Sequence, residues 1–362
     1  MDKSIQKLIR PDLAAFAGYP AATSPETLEG KTDVAVKDII KLDANENPYG
    51  CSPKVNKALA KYSNYHVYTD DGQTKLRELL SEYIGLDASC IVAGSGSNQL
   101  IDLVLRLFLN PGDEVISCPP TFGIYGFSTK LCAGNLVEVP RDEHFGVNVG
   151  TLKAAITKRT KVICLANPNN PTGTIIPRAD IMELLDTGIP LLLDEAYYEF
   201  CGETLAAEIG SCQNLMILRT FSKWAGLAGL RIGYGLFPPD IADMLMKIKM
   251  PYNVNVAAVV AVQESLKDLD YLVGRLQAIV DERNRLFQEL KKLGWLEPLP
   301  SHANFLLCQV LKGEARRVAK ELQQKGILVR YFDQPRLRNF IRISVGKPEH
   351  TDTLLKVLGK LG

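Results

Sequence analysis

The sequence predicts an α/β protein with a mostly parallel central sheet in a large domain, a smaller α/β domain and an N-terminal arm. From residue 89 to about residue 235, short apolar runs alternate with helical segments. Strands that are apolar throughout are typical of a parallel sheet covered by helices on both faces. After about residue 255, a long charged helix and short strands follow instead. The predicted division is an arm at 1–40, a large domain at 41–255 and a small domain at 256–362.

In the large domain, each predicted strand is an apolar run that ends in turn residues, and helices are predicted between the strands. The predicted strands are 91–93, 114–118, 136–139, 161–165, 190–194, 215–218 and 230–235. In the small domain, the pattern predicts helices at 271–293, at 315–325 and from 351, with strands at 304–308, 327–331 and 340–344.

The composition is that of an ordinary globular protein and argues against several classes of function. The chain has 362 residues, 42 Lys and Arg against 41 Asp and Glu, and a formal net charge of +1. This balance gives no sign of affinity for nucleic acid or for a membrane surface. No apolar run approaches the ~20 residues of a membrane span, and the N-terminus resembles neither a secretory signal nor a transit peptide.

The cysteines and histidines indicate no metal site. The eight cysteines are scattered without a C-x-x-C pair, and the four histidines lack ligand spacing. We therefore expect neither a zinc site nor a redox pair. Free thiols fit a reducing compartment, so a cytoplasmic location is expected.

Five conspicuous loops follow predicted strands. Because parallel sheets bind ligands at the carboxyl ends of their strands, we expect these loops to form one site. They are 94–99, 119–122, 167–173, 194–197 and 220–223.

Lys223 lies in an apolar, glycine-rich stretch, and Asp194 ends an apolar run 29 residues upstream. A lone lysine is usually a solvated charge, but desolvation lowers its pKa and makes the amine a nucleophile toward aldehydes. A carboxylate at a strand end can hold a pyridinium nitrogen protonated. This pair is what an enzyme dependent on pyridoxal 5'-phosphate (PLP) requires. The alternative partner for Asp194 is a structural arginine.

A phosphate site is suggested by two segments. The glycine-rich loop that leads to Ser97 and Asn98 opens a helix, which makes it an anion site by geometry and dipole. The alternatives are a helix capped by Ser97 or Asn98, or, less well matched in glycine spacing, a dinucleotide fingerprint. Ser222 and Arg231 could complete a phosphate cup, although a solvated loop would carry the same residues.

The remaining candidates surround the same site. Tyr197 and Asn170 could each donate a hydrogen bond to a phenolate oxygen, or Asn170 could only stabilise its turn. Phe122 could stack on a cofactor ring or pack in the core. Arg330 and Arg342 lie on short apolar strands, where they could bind substrate anions or pair with an acid between the domains.

The chain resembles the histidinol-phosphate aminotransferase family of fold-type I PLP enzymes. The resemblance runs almost from end to end and is carried by eight segments. They are KLDANENPYG at 41–50, GSGSN at 94–98, PPTF at 119–122, NPNNPTG at 167–173, DEAYYEF at 194–200, residues 219–235, PYNVN at 251–255 and FIRISVG at 340–346.

The resemblance implies a role for each matching residue. Lys223 would form the Schiff base and move the proton, Asp194 would pair with the ring nitrogen, and Tyr197 and Asn170 would hold the ring oxygen. The phosphate would be bound by Ser97, Asn98, Ser222 and Arg231. Arg342 would take the amino-acid carboxylate, and Arg330 and Tyr252 would shape the rest of the substrate site.

The resemblance also implies a homodimer with shared active sites. Tyr68 would reach the partner's cofactor phosphate, and Tyr19 would close the partner's substrate site. The implied reaction exchanges an amino group between glutamate, which becomes 2-oxoglutarate, and imidazole acetol phosphate. A threonine-phosphate decarboxylase, an aromatic aminotransferase, a regulatory PLP-binding protein and a nucleotide-binding protein are the alternatives.

Four departures from the family pattern remove no catalytic group. Asn98 and Gln99 stand where Asp-Glu is common, and Thr69 stands where the family has proline. Phe122 replaces a tyrosine of some members, and the large Trp224 directly follows the lysine.

Overall fold

The computed structural model describes residues 5–14, 16, 18, 19 and 24–361. Parts of the predicted arm and the last residue of the predicted small domain therefore lie outside the described residues. In chain order, the strands are β1 Ile40–Leu42, β2 Ile91–Gly94, β3 Glu114–Ser117, β4 Asn135–Glu138, β5 Thr160–Ala166, β6 Leu191–Asp194, β7 Leu215–Thr220, β8 Gly233–Leu236, β9 Leu296–Pro298, β10 Phe305–Val310, β11 Ile327–Tyr331 and β12 Phe340–Ser344.

The described residues also form twelve α-helices. They are α1 Pro11–Ala14, α2 Pro53–Lys61, α3 Thr74–Ile84, α4 Ser97–Phe108, α5 Ile124–Leu131, α6 Val149–Ala154, α7 Arg178–Leu185, α8 Pro239–Ile248, α9 Val256–Leu266, α10 Leu269–Lys291, α11 Ala315–Gln324 and α12 Pro348–Leu358.

The central sheet has seven strands in the order β2-β8-β7-β6-β5-β3-β4. The five strands from β7 to β4 are parallel, and β8 runs antiparallel to both of its neighbours. Because β8 is antiparallel to both β2 and β7, those two strands run in the same direction. Their carboxyl ends therefore lie at the same edge of the sheet. The predicted fold class, α/β with a mostly parallel sheet, is confirmed.

Both faces of this sheet are buried, which explains why its strands are apolar throughout. In β6, Leu191 and Leu193 belong to the core on one face, while Leu192 belongs to the core on the other. Helices α4, α5 and α8 cover the second face, and α3, α7 and α9 cover the first. Alternate side chains of a strand point to opposite faces, so only a strand covered on both sides reads as a continuous apolar run.

The second sheet has five strands in the order β1-β11-β12-β10-β9. Its first strand pairs with β11, so residues 40–42 extend the sheet of the small domain rather than begin the large one. Conversely, α9 packs on the core of the large sheet. The division at residues 40 and 255 stays a prediction, and these two elements cross its boundaries.

One predicted strand is shorter than the sequence suggested. The apolar run at 230–235 forms a strand only from Gly233, because a 3-10 turn ends at Leu230 and Arg231 takes a left-handed conformation with φ 54°. Because of this turn, Arg231 takes no part in strand pairing and lies at the edge of the sheet.

Candidate active site

The predicted loops meet at one edge of the central sheet. Asp194 ends β6 and Thr220 ends β7, next to the start of β8 at Gly233. Gly94, at the end of β2, pairs with the same glycine from the other side. The glycine loop, the Asp194 loop and the Lys223 loop are therefore neighbours, as the sequence predicted.

Lys223 is half-buried beyond the end of β7, and its Nζ donates a hydrogen bond to the carbonyl oxygen of Ala44 at 3.0 Å. Burial and, to a smaller extent, the positive charge of Arg342 together lower the pKa of this amine from 10.5 to about 8. An amine that loses its proton near neutral pH can attack an aldehyde. The geometry supports the nucleophilic role predicted for Lys223.

Asp194 is buried and, within the described part of the chain, accepts no hydrogen bond from an arginine. Its Oδ2 accepts from the hydroxyl of Tyr125 at 2.8 Å, and its Oδ1 accepts from the backbone N–H of Ala196 at 3.1 Å. Burial raises the pKa of this carboxyl to about 6. The buried arginine nearby, Arg219, bonds Glu195 instead, at 2.9 Å. Asp194 is thus suited to a cationic ligand group, which would favour its charged form.

The N-terminus of α4 and Arg231 form an anion-binding corner. Gly96 begins the helix, and neither Ser97 nor Asn98 caps it with a side chain, contrary to the structural alternative. A Cβ at Gly96 would lie 2.5 Å from a guanidinium nitrogen of Arg231. Because only glycine leaves this space, the guanidinium can lie beside the open helix N-terminus, where anions bind.

Ser222 lies buried at the same corner. Its Oγ lies 2.9 Å from the hydroxyl oxygen of Thr220, which also lies 3.3 Å from the carbonyl oxygen of Ile232. A phosphate oxygen at the α4 N-terminus would be a further hydrogen-bond partner for the Ser222 hydroxyl.

An amide network that the sequence reasoning missed holds the glycine loop. Oε1 of Gln99 accepts from the backbone N–H of Ser95 at 2.7 Å and from Nδ2 of Asn253 at 2.8 Å. Nε2 of Gln73 donates to Oδ1 of Asn253 and to the carbonyl of Ala93, both at 2.9 Å. The departure from the family pattern at Gln99 was the signal that could have revealed it.

Tyr197 and Asn170 lie on the other side of the site. The Tyr197 ring is buried edge-on against Phe305, and its Oη accepts a hydrogen bond from Nδ2 of Asn45 at 2.9 Å. Burial raises the pKa of this phenol to about 12, so it carries its hydrogen at neutral pH. Oδ1 of Asn170 accepts from Arg342, which leaves the amide N–H groups of Asn170 for a ligand.

Arg342 is buried and bonds neutral oxygens rather than a carboxylate. It donates to Asn170 and, at 2.6 Å, to the carbonyl of Asp43, while its Nε is buried without a hydrogen-bond partner. Phe305 and Phe332 flank the guanidinium. Arg330 is its direct neighbour across β11 and β12.

The pair of arginines favours an anion in the site. Residues directly opposite in an antiparallel ladder share a face of the sheet, and like charges placed this way destabilise it. Burial lowers the pKa of Arg342 to about 10, still well above neutral pH, so its charge is retained. A ligand carboxylate or phosphate would offset this repulsion.

Tyr19 and Phe122 form the rim of the same site. Their ring centroids lie 6.1 Å apart in an edge-on arrangement, and a Cβ at Gly123 would lie 3.2 Å from the Tyr19 ring. Burial raises the pKa of the Tyr19 phenol, while Arg330 and Arg342 act on it in the opposite direction. Tyr19 thus packs beside Phe122 of its own chain, and the expectation that it closes a partner's substrate site stays a prediction. Phe122 is half-buried beside Tyr125, as a residue facing a ligand would be.

Tyr68 and Tyr252 stack on each other, with centroids 4.4 Å apart. Their side chains are 79% and 46% exposed, so a broad aromatic surface faces outward. The backbone N–H of Tyr252 donates to Oδ1 of Asp71, which also binds Lys249. In this chain Tyr68 contacts Tyr252 rather than the phosphate corner, which leaves its ring free for another molecule.

The segment at 43–47 was also missed as a functional element, although its sequence carried part of the family resemblance. Carbonyl oxygens of Asp43 and Ala44 accept from Arg342 and Lys223, respectively. Nδ2 of Asn47 donates to the carbonyl oxygen of Trp224 at 2.7 Å. One short segment between the two sheets therefore positions both the lysine and the buried arginine.

The described part of the chain contains neither a metal-binding cluster nor a membrane-spanning helix. Among those residues, no group of three or more His, Cys, Asp or Glu side chains is arranged to hold a metal ion. No helix there is both long enough and apolar enough to cross a bilayer.

The chain belongs to the aminotransferase class I and II family, whose model matches residues 37–358. A histidinol-phosphate aminotransferase of Dehalococcoides mccartyi (strain CBDB1) is 55% identical, and the match covers 100% of both chains. One of Roseiflexus castenholzii is 48% identical over 99% of each chain. A crystal structure of histidinol-phosphate aminotransferase from Sinorhizobium meliloti, solved in complex with pyridoxal-5'-phosphate, superposes with a TM-score of 0.88 at 28% identity and 98% coverage of both chains.

The residues present fit the cofactor of this family, PLP. The site contains an amine with a lowered pKa, a buried carboxylate without a cationic partner, and a helix N-terminus beside an arginine. These are the groups required for the aldehyde, the ring nitrogen and the phosphate of PLP.

Proposed function

We propose that the protein transfers an amino group from glutamate to imidazole acetol phosphate, as a histidinol-phosphate aminotransferase. The observation that carries this proposal is the cross-strand pair of Arg330 and Arg342, of which Arg342 acts electrostatically on the Lys223 amine. Glutamate carries two carboxylates, and imidazole acetol phosphate carries a doubly charged phosphate. Two opposed arginines suit a substrate site that must accept either of these anionic molecules.

PLP, when bound, supplies an electron sink for the bond that breaks at the substrate carbon. Asp194 would keep the ring nitrogen protonated, because a charged carboxylate beside it favours the pyridinium form. Lys223 accepts and returns the proton, since its amine is poorly solvated and has a pKa of about 8. Ser97, Asn98, Ser222 and Arg231 would hold the phosphate.

The substrate groups are assigned by their chemistry. In glutamate the reacting carbon carries a carboxylate, and in imidazole acetol phosphate it carries a methylene phosphate. We propose that the α-carboxylate of glutamate and the phosphate of imidazole acetol phosphate occupy the same part of the site. Arg342 would bind the carboxylate, and Arg330 would share the larger phosphate. Tyr19 and Phe122 would enclose the rest of the substrate, with Tyr252 at the outer side.

The protein would act as a homodimer with shared sites. The support is the exposed aromatic surface of Tyr68 and Tyr252, which is joined through Asn253 and Gln99 to the glycine loop. A cytoplasmic location is proposed because all eight cysteines are free thiols, which persist in reducing compartments.

A single-turnover absorbance experiment tests the substrate assignment. The purified enzyme with PLP is mixed with glutamate and then with either imidazole acetol phosphate or phenylpyruvate. We expect the cofactor band to fall with glutamate and to return fastest with imidazole acetol phosphate. The Lys223→Ala variant is the control and should show no turnover.

Other outcomes point to the alternatives. Recovery only with phenylpyruvate would identify an aromatic aminotransferase. An absence of any response to glutamate would exclude transamination from glutamate, and release of carbon dioxide from threonine phosphate would then identify a decarboxylase.

A further inference from the structure

Asn45 is a buried residue that bonds three separate parts of the chain. Its Nδ2 donates to Oη of Tyr197, in the loop after β6, at 2.9 Å. Its backbone N–H donates to Oγ of Ser344, which in turn donates to Oδ1 of Asn45, both at 2.9 Å. Its carbonyl oxygen accepts from Nδ2 of Asn304 at 2.9 Å. Asn45 thus connects the large-sheet loop that carries Tyr197 with the small-sheet strand that carries Arg342.

The hydrogen bonds determine which way the Asn45 amide points. Oγ of Ser344 accepts from the backbone of Asn45, so its own hydrogen needs an acceptor, and Oδ1 of Asn45 provides one. Turning the amide around would remove that acceptor from a buried hydroxyl, which is costly. Nδ2 therefore faces Tyr197 as a donor.

This orientation determines what Tyr197 can do. A phenol hydroxyl has one hydrogen and accepts through its lone pairs. Because Asn45 is the donor, the hydroxyl hydrogen of Tyr197 remains for a second acceptor. Asp194 and Arg342 also act on the phenol electrostatically, but neither occupies this hydrogen.

An asparagine is well suited to this position for a second reason. The backbone of Asn45 is left-handed, with φ 55°. Asparagine, aspartate and glycine tolerate that conformation better than most residues. This provides variants that alter the side chain while keeping the backbone.

We propose that Asn45 is a positioning residue that keeps Tyr197 as a hydrogen-bond donor to the ring oxygen of the cofactor. The inference rests on the proposed function, because it takes Tyr197 to face that oxygen. Asn45 does not touch the cofactor in this arrangement and acts through Tyr197.

The test reverses the hydrogen bond. In Asn45→Asp a carboxylate replaces the Nδ2 donor and accepts the hydrogen of Tyr197. The ring oxygen then loses its donor, and its charged form is less stabilised. We expect the pH midpoint of the absorbance change of bound PLP, measured on the holoenzyme, to rise by about one pH unit, as for one lost hydrogen bond to a charged oxygen. The Asn45→Gly variant, which removes the donor without adding a charge, should shift the midpoint less and in the same direction.

A double variant separates an action through Tyr197 from a direct effect of the new charge. Tyr197→Phe should itself raise the midpoint. Adding Asn45→Asp to it should then produce less than half of the shift seen in the wild-type background, because residues that act through one contact are not additive. An equal shift in both backgrounds would overturn the inference.

The failure of this inference is distinct from that of the proposed function. If Tyr197→Phe raises the midpoint while Asn45→Asp and Asn45→Gly leave it unchanged, Asn45 has no positioning role and the proposed function stands. If Tyr197→Phe also leaves the midpoint unchanged, Tyr197 does not hold the ring oxygen, and both the assignment of that residue and the inference fall.

Discussion

The hydroxyl of Tyr125 donates a hydrogen bond to Oδ2 of Asp194 across 2.8 Å, and both side chains are buried beneath the candidate cofactor site. The bond stabilises the carboxylate, but burial outweighs it and raises the pKa of Asp194 from 3.8 to about 6. The protein without cofactor therefore holds a buried acid that prefers its proton.

Replacing this acid by its neutral isostere, Asp194→Asn, should stabilise the cofactor-free protein and abolish its activity. A raised folded-state pKa means that stability is lost as pH rises from about 4 to about 6. Because the pKa of Asp194 rises from 3.8 to about 6, the free energy of unfolding is about 3 kcal/mol lower above pH 6 than below pH 4. The variant has no carboxylate to desolvate and avoids this loss. The difference in free energy of unfolding between variant and wild type, measured by urea unfolding, should therefore grow from pH 4 to pH 6 and then stay constant.

The activity of the same variant should fall by about 100-fold or more, because an amide cannot hold the ring nitrogen protonated. Tyr125→Phe is the matched control, since it keeps the acid and removes only one hydrogen bond. An advantage of Asp194→Asn that is independent of pH would show that the carboxylate is not desolvated.

The Lys223 amine should capture PLP most rapidly above about pH 8. Burial lowers its pKa to about 8, so the fraction of free amine rises about tenfold per pH unit below that value and levels above it. Stopped-flow absorbance of the cofactor-free enzyme mixed with PLP measures the rate. The matched control is N-acetyl-lysine, whose reaction should level only above about pH 10.4. Equal profiles would mean that the lysine is fully solvated.

Arg330→Gln should weaken the binding of imidazole acetol phosphate more than the binding of glutamate. Loss of one charged hydrogen bond costs about 1.5–3 kcal/mol, which corresponds to a rise in KM of about 10- to 100-fold for the phosphate substrate. The KM for glutamate should change much less, because Arg342 holds its carboxylate. Arg342→Gln is the comparison and should raise the KM for glutamate. Equal effects of Arg330→Gln on both substrates would contradict the division of roles.

Much of the fold was predictable because the strands of the central sheet are buried on both faces. The run that becomes β6 reads as a strand from its continuous leucines, and its end at Asp194 indicated the candidate site. The strand β1 was not predicted to join the smaller sheet. Its pairing with β11 joins residues nearly 290 positions apart, and a three-residue strand carries too little pattern to indicate a distant partner.

The site was predictable where chemistry requires a particular side chain, as for Lys223 and Asp194. It was less predictable where a residue acts through another. Tyr125 and Asn45 contact Asp194 and Tyr197, the residues proposed to bind the ring, and nothing local distinguishes a tyrosine in a buried helix or an asparagine in a turn. The location of Tyr19 in its own chain depended on packing against Phe122, which no spacing in the sequence expresses.

If the active site is shared between subunits, mixed dimers of the Tyr68→Phe and Lys223→Ala variants should regain activity. Tyr68→Phe removes the hydroxyl proposed to reach the partner's phosphate and should weaken PLP binding by about 10- to 100-fold. Lys223→Ala removes the amine. Tyr68 is 79% exposed, so neither the fold nor the stability of the chain should depend on its hydroxyl.

In a mixed dimer, the Lys223 of the Tyr68→Phe chain would receive an intact Tyr68 from the Lys223→Ala chain. One site per mixed dimer is then complete. Random pairing makes half of the dimers mixed, so co-refolding equal amounts at limiting PLP should recover about a quarter of the wild-type activity for a symmetric two-chain site. Mixing without unfolding is the control and should recover little. If each site were built from one chain, every site in the mixture would contain one of the two substitutions. Co-refolding would then restore no activity.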